Sequence, residues 1–254
     1  MSLQFDQRRV LVTGASTGIG AAVALGFARA GAQVAVHYNR SREGAEQVAE
    51  EAKSHGGEVA LIQGDVVDPA GPGQVVDEAA AALGGLDVLV NNAGGLVGRK
   101  AMAEMDDAFL EEVTALNFYS TARACRAAIP HLRQSPAGAI VNVSSIAASN
   151  GGGNGAVAYC SAKAAVSGFT RALAKELAGE GIRVNAISPG VIDTPFHERH
   201  TAPEAMQRMV GQIPMGRVGE PDECTGTVLY LASPETASYV TGQVLEVNGG
   251  QYFN

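Results

Sequence analysis

Short apolar runs recur along the chain, separated by longer amphipathic stretches. Residues 10–12, 34–37, 59–63, 88–90, 139–143, 184–187 and 244–247 are apolar, β-prone runs too short for helices. Between them, residues 21–30, 42–54, 69–83, 106–132, 156–177 and 221–231 carry apolar positions at helical spacing. A strand apolar at consecutive positions is covered on both faces, and strand–helix alternation is the pattern of βαβ units. The prediction is therefore a parallel sheet with helices on both sides and right-handed crossovers. No composition shift, repeat or long low-complexity tract divides the chain, so one domain is expected over residues 1–254.

The junctions after the strands carry the chemistry, because ligands of open parallel sheets sit outside the carboxyl ends of the strands. The first run leads into Thr13-Gly14-Ala15-Ser16-Thr17-Gly18-Ile19-Gly20 and then an alanine-rich helix. Gly14 permits a tight turn, Gly18 lets backbone approach a pyrophosphate, Gly20 allows close helix packing, and the helix N-terminus offers free N–H groups to an anion. Asn91-Asn92-Ala93-Gly94 follows the fourth run, Ser144-Ser145 the fifth and Pro189-Gly190 the sixth. Asn and Gly also form turns, and a serine can simply end a strand.

Tyr159 and Lys163 stand one turn apart on a single helical face. A phenol titrates near roughly 10, and a neighbouring ammonium favours its phenolate, moving it toward the range useful for proton transfer. The preceding Gly/Asn-rich residues 149–155 are a candidate rim of the site.

Composition narrows the partners. A net charge of −8 without a basic cluster argues against nucleic acid or an anionic membrane surface. No apolar run approaches the ~20 residues of a membrane span, and residues 1–9 lack a signal-peptide apolar stretch, so a soluble, cytoplasmic protein is expected. Cys125, Cys160 and Cys224 lack paired spacing and read as reduced and mostly buried. His197 and His200 lie three apart with no third ligand placed beside them, so no metal site is expected.

These motifs, in this order over essentially the whole chain, resemble the short-chain dehydrogenases/reductases in their compact single-domain branch, including members similar to 3-oxoacyl-carrier-protein reductases and to sugar or polyol dehydrogenases. The resemblance implies an α/β Rossmann-type doubly wound parallel sheet of about seven strands. It also implies hydride transfer between a nicotinamide nucleotide and a carbonyl or secondary alcohol. Tyr159 would be the acid/base, Lys163 would lower its pKa and hold the nicotinamide ribose, Ser145 would orient the substrate oxygen, and Asn117 would join the proton relay. Relatives commonly place one residue fewer between serine and tyrosine than the thirteen here, the extra one falling most simply in the Gly/Asn-rich loop.

For the cofactor, the resemblance carries over Gly14, Ser16, Thr17, Gly18, Ile19 and Gly20 at the phosphates. Asp65 and Val66 would flank the adenine, with Asn91, Ala93 and Gly94 beyond them, and Pro189, Gly190, Ile192 and Thr194 would lie near the nicotinamide. At the end of the second strand, where NAD-preferring relatives carry an acid, stand Tyr38, Asn39 and Arg40. Arg40 suits a 2′-phosphate, so NADP(H) is expected with NAD(H) possible, although Thr17 occupies a position often basic in NADP-preferring relatives. Residues 191–214, with Asp193, His197, Glu198, Arg199, His200, Met206 and Met209, match the variable lid over substrate. Helices 106–132 and 156–177 match those that build a homotetramer or homodimer. Two rivals are an extended-branch epimerase or dehydratase, disfavoured by length and glycine spacing, and a silent nucleotide-binding regulator, disfavoured by the presence of Ser145, Tyr159 and Lys163.

Overall fold

The computed structural model describes residues 3–196, 201 and 203–253. Its seven strands are β1 (Arg9–Val12), β2 (Gln33–Tyr38), β3 (Val59–Gln63), β4 (Val88–Asn91), β5 (Ala139–Val143), β6 (Arg183–Pro189) and β7 (Val244–Val247). All neighbours pair in parallel, in the order β3-β2-β1-β4-β5-β6-β7. Strand order reverses between β1 and β4, where Val10 faces Val34 on one side and Val88 on the other. This is the Rossmann-type doubly wound sheet, and its ligand crevice opens at that reversal.

Alternation along each strand divides the core into two layers. Val10, Val12, Val34, Val36, Val88, Val90 and Val141 share one layer with α1 (Gly18–Arg29), α2 (Arg42–Ser54) and α9 (Pro221–Ala232). Leu11, Ala35, Leu89, Ile140 and Val184 point the opposite way, onto α3 (Gly71–Leu83), α5 (Ser120–Leu132) and α7 (Val157–Leu177). Further helices are α4 (Asp107–Thr114), the short α6 (Ala147–Asn150) after β5, and α8 (Pro203–Val210) in the 191–214 segment. Among the described residues no helix is long and apolar enough to cross a membrane.

The single helix expected over 106–132 is interrupted. Asp106 caps α4 by accepting from the Phe109 N–H at 2.8 Å, and Ala115–Tyr119 form a π-helical turn before α5. Within that turn the Asn117 amide donates to the Val113 carbonyl at 2.9 Å and to the Gly95 carbonyl at 2.8 Å. Such bulges concentrate at functional sites. His197, Glu198, Arg199 and His200 lie outside the described residues.

At the opposite, amino-terminal edge of the sheet, Asp87 ties three segments together. It accepts from Arg9 Nε at 2.8 Å, from the Arg9 backbone N–H at 2.9 Å and from Ser135 Oγ at 2.6 Å. Burial alone would raise its carboxyl pKa, but the bonds from Arg9 and Ser135 outweigh it and hold the value at about 2. A carboxylate with a depressed native pKa stabilises the fold above its unfolded pKa, and that stability is lost as pH falls through the native value. Asp87→Asn is expected to cost about 2 kcal/mol near neutral pH. In urea melts the wild type should lose its advantage between about pH 4 and pH 2. An equal response of both proteins to acid would refute the assignment.

Candidate functional site

The glycine turn and the loop after β4 are braced by side chains that carry no charge. Thr13 Oγ1 accepts from the backbone N–H groups of Asn92 and Ala93 at 3.0 and 3.1 Å. The Asn92 amide donates to the carbonyls of Thr13 and Gly14 at 3.0 and 2.9 Å. Gly14 and Gly18 have φ of 63° and 56°, a left-handed conformation that glycine adopts without strain. A Cβ on Gly20 would run into the Gly14 carbonyl and the Asn92 amide, so this position closes the turn onto the first turn of α1. Buried His37 completes the brace: the Gly14 N–H donates to its Nδ1 at 3.0 Å, leaving Nε2–H to donate to the Gly64 carbonyl at 3.1 Å. Burial holds its pKa below the ordinary histidine value, so the ring is neutral.

The candidate proton-transfer groups lie where β5 ends against the start of α7. The Ser144 hydroxyl is engaged by α7, donating to the Lys163 carbonyl at 3.0 Å and lying 2.7 Å from Ser167 Oγ. Ser145 lies close enough to Tyr159 to draw the phenol's pKa down. Ser145 Oγ accepts from the Ala147 N–H at 3.1 Å. The Tyr159 ring tilts against Phe196, 6.0 Å between centroids, beside a small apolar cluster of Leu96, Ala147, Ala156 and Cys160. Lys163, 4% exposed, donates to the Val143 carbonyl at 2.8 Å, and its Nζ lies 5.9 Å from the Tyr159 ring centre. Asn117 is clasped to Gly95, its Oδ1 accepting from the Gly95 N–H at 3.0 Å. A Cβ on Gly94 would lie 2.9 Å from Asn117 Oδ1 and 3.0 Å from Lys163 Nζ, so a bare backbone at 94 lets these two side chains approach the same loop.

Titration in the protein alone differs from the expectation of a lowered phenol. Tyr159 opens partly onto the crevice, but burial on its other sides pushes the hydroxyl to about 12, against the pull of Ser145. Burial likewise draws Lys163 down to about 8. Desolvation opposes the charged form of both groups, and Ser145 offsets it only in part at the phenol.

One crevice of about 1290 Å³ joins these parts. It exceeds the roughly 300–1,000 Å³ typical of a small-ligand site, leaving room for a dinucleotide and a second molecule. Its wall contains Gly14, Ser16, Thr17, Gly18, Ile19, Asn39, Arg40, Asp65, Val66, Ala93, Gly94, Ser145, Tyr159, Lys163, Pro189, Gly190, Ile192 and Thr194. Gly20, Tyr38, Asn91 and Asn117 do not line it. Tyr38 is packed into the α1/α2 layer. Asn91, on the same face of β4 as Leu89, donates to Asn142 Oδ1 at 2.9 Å, and Asn142 in turn donates to Thr170 of α7. Thr13 and Asn92 stand directly after β1 and β4, where a polar residue signals the ligand end of the sheet, whereas His37 lies within β2 and carries no such signal. The free N–H groups at the start of α1, the glycine cradle and the exposed Arg40 guanidinium fit a phosphorylated dinucleotide.

Comparison with known proteins gives a consistent picture. The family profile described as enoyl-(acyl carrier protein) reductase matches residues 14–251. A 3-oxoacyl-[acyl-carrier-protein] reductase FabG of Staphylococcus aureus is 38% identical over 245 residues, 96% of this chain and 98% of that protein. An NADH-dependent reductase A1-R′ responsible for alginate metabolism superposes with a TM-score of 0.91 at 35% identity, covering 98% and 99% of the two chains. A short-chain dehydrogenase from Burkholderia cenocepacia in complex with NADP superposes with a TM-score of 0.90 at 33% identity, again covering 98% and 99%.

The buried ammonium has a thermodynamic signature. Lys163 in the fold titrates at about 8, below its ordinary 10.5, so holding it charged costs stability below about pH 8 and the cost vanishes as pH rises through 10.5. Lys163→Met is expected to be more stable than the wild type at pH 7, by up to about 3 kcal/mol, with the gain shrinking toward pH 10. Urea denaturation at both pH values measures this. A variant less stable at pH 7 would contradict it.

Proposed function

Because the chain belongs to the short-chain dehydrogenase/reductase family, whose members are NAD(P)-dependent oxidoreductases, we propose that it moves a hydride between NADP(H) and a carbonyl or secondary-alcohol substrate at Tyr159. The observation that carries this reading is that Ser145, Tyr159 and Lys163, one turn beyond Tyr159, line the same crevice as the glycine turn, with Lys163 Nζ 5.9 Å from the Tyr159 ring centre. When bound, the nicotinamide supplies or accepts the hydride at the substrate carbon.

The chain's own residues do the rest. Ser145 holds the substrate oxygen beside the Tyr159 hydroxyl. With its pKa near 12, that hydroxyl stays protonated at neutral pH and so donates to an oxygen whose charge grows as a carbonyl is reduced. Lys163 lowers the pKa of Tyr159 relative to a site with a neutral neighbour, since a cation 5.9 Å from the ring favours the phenolate left behind. Asn117 positions the Gly94–Gly95 backbone on which Lys163 rests, and serves the proton relay from there. The 191–214 segment, whose Phe196, Arg208 and Met209 line the crevice, acts as the lid that keeps water from the reacting atoms.

Support for NADP(H) comes from Arg40, which is exposed on the crevice wall and, among the described residues, forms no ion pair; Asn39 and Ser41 flank it. Asp65 gives one oxygen to the Val67 N–H at 3.0 Å and keeps the other for the adenine amino group. NAD(H) is the second reading, favoured by the similarity to the NADH-dependent reductase. The same reading extends to assembly as a homotetramer or homodimer through α4, α5 and α7, where Val157 is 49% exposed. The three buried, unpaired cysteines suit the cytoplasm.

Two variants test the assignments. Tyr159→Phe should lose roughly 10²–10⁴-fold in turnover while nucleotide affinity measured by calorimetry is kept. Unchanged turnover would remove Tyr159 from the chemistry. Arg40→Ala should weaken NADPH about ten- to a hundredfold and NADH far less. An equal effect on both nucleotides would leave Arg40 without a phosphate to bind.

A further inference from the structure

The substrate side of the crevice contains two arginines that the redox chemistry does not use. Arg99, in the loop after β4, and Arg208, on α8, both line it and are exposed, and neither forms an ion pair among the described residues. The carboxylate on this part of the wall is Glu112 of α4, also unpaired among the described residues. Arginines left without counter-charge in a concave site bind carboxylates through paired N–H groups.

Arg99 is held in place. Its Nη1 donates to the Asn154 carbonyl at 2.9 Å, and the next residue's backbone N–H donates to the Gly155 carbonyl at 3.1 Å. Gly155 has φ of 75°, and a Cβ there would lie 2.9 Å from Arg99 Cβ. Two residues earlier, Val97 has φ of 62°, a left-handed conformation that β-branched residues rarely hold, with the Gly98 N–H closing a tight turn onto the Leu96 carbonyl at 2.7 Å. Strain of this kind persists only where the surroundings impose it. The result directs Arg99 against residues 151–155, the Gly/Asn-rich stretch that accommodates the extra residue between Ser145 and Tyr159. The guanidinium lies on the same crevice wall as Ser145 and Tyr159.

We propose that Arg99, seated by the 151–155 loop and assisted by Arg208, binds a carboxylate on the substrate, so that the enzyme acts on a small oxo acid or the corresponding hydroxy acid. The inference rests on the oxidoreductase reading for the carbonyl end of that molecule. Only recognition is at issue, the redox step being that of the site already described. A neutral oxoacyl thioester, such as an acyl carrier protein would deliver, leaves Arg99 without a partner and is the competing outcome.

The test uses the full-length protein saturated with NADPH or NADP⁺. Calorimetry and nucleotide absorbance are read with oxo acids of graded length, beginning with levulinate, with their methyl esters and with an acetoacetyl thioester. Acids should bind and turn over about tenfold or more better than esters, as expected for a hydrogen-bonded charge pair. In Arg99→Gln that acid-to-ester ratio should collapse through KM with kcat little changed, and Arg99→Lys should restore part of it. Thermal melts confirm that both variants fold. Equal or better use of esters or thioester, no binding of any acid, or a ratio unchanged in Arg99→Gln would overturn the proposal. Turnover without charge preference removes the carboxylate clamp and leaves the oxidoreductase. Arg99-dependent binding of acids with no nucleotide consumed does the reverse.

Discussion

Lys163 carries a positive charge that no carboxylate among the described residues pairs with. At 4% exposure it has lost its water, and one carbonyl, that of Val143 at 2.8 Å, is the fixed acceptor it has gained. Desolvation of this kind drives a lysine toward neutrality, and its pKa of about 8 shows how near that limit it lies. Everything around it is arranged to keep the side chain from retreating to solvent. Ser144 anchors its backbone from β5, and the bare Gly94 lets the ammonium rest beside Asn117. The π turn at Ala115–Tyr119 sets the Asn117 amide in a clasp on Gly95. A strand end, a long helix, a loop and a bulged helix therefore converge on one charge. Rigidity there is needed to keep a cation close to a phenol that burial alone would leave inert.

The nucleotide side is built on the opposite principle. Thr13, Asn92 and a neutral His37 lock the glycine turn to the neighbouring loops using only dipoles. With no fixed charge in the brace, the field at the turn comes from the N-terminus of α1 and from Arg40 farther out. Both favour an anion. Placing the brace at the strand reversal also explains why one asparagine suffices: the carbonyls of Thr13 and Gly14 end β1 without strand partners, and the Asn92 amide takes both.

Most of this architecture was legible because parallel strands buried on both faces read as unbroken apolar runs. All seven strands appear within two residues of their expected bounds. What the pattern could not supply was set by side chain to backbone bonds between distant segments. Asn117 lies in a stretch with helical periodicity, and nothing local announces that its amide will reach Val113 and Gly95 and widen the helix. Tyr38 and Asn91 were placed near the cofactor by position, yet alternation decides otherwise. Tyr38 continues the Val34–Val36 face into the core, and Asn91 continues the Leu89 face toward α7. The phenol's raised pKa was equally invisible, since spacing reveals a neighbouring charge but not the burial that opposes it.

The two halves of the crevice differ in what specifies them. The nucleotide half is fixed by backbone conformation at strand ends, so changes there disturb the sheet. The substrate half is lined from the 94–99 loop, residues 151–155 and α8, none of which has a strand partner to hold its register. Besides the Gly95–Asn117 clasp, a mechanical link from this half toward Tyr159 is the small cluster of Leu96, Ala147, Ala156 and Cys160, packed separately from the two main core layers. That cluster packs against Tyr159, and the extra residue that the resemblance implies between Ser145 and Tyr159 falls in the Gly/Asn-rich loop beyond it. An insertion beyond the cluster leaves the packing of Tyr159 in place, so its effect falls on whatever the lengthened loop touches. Here that residue is Arg99, held by the Asn154 carbonyl within the same loop.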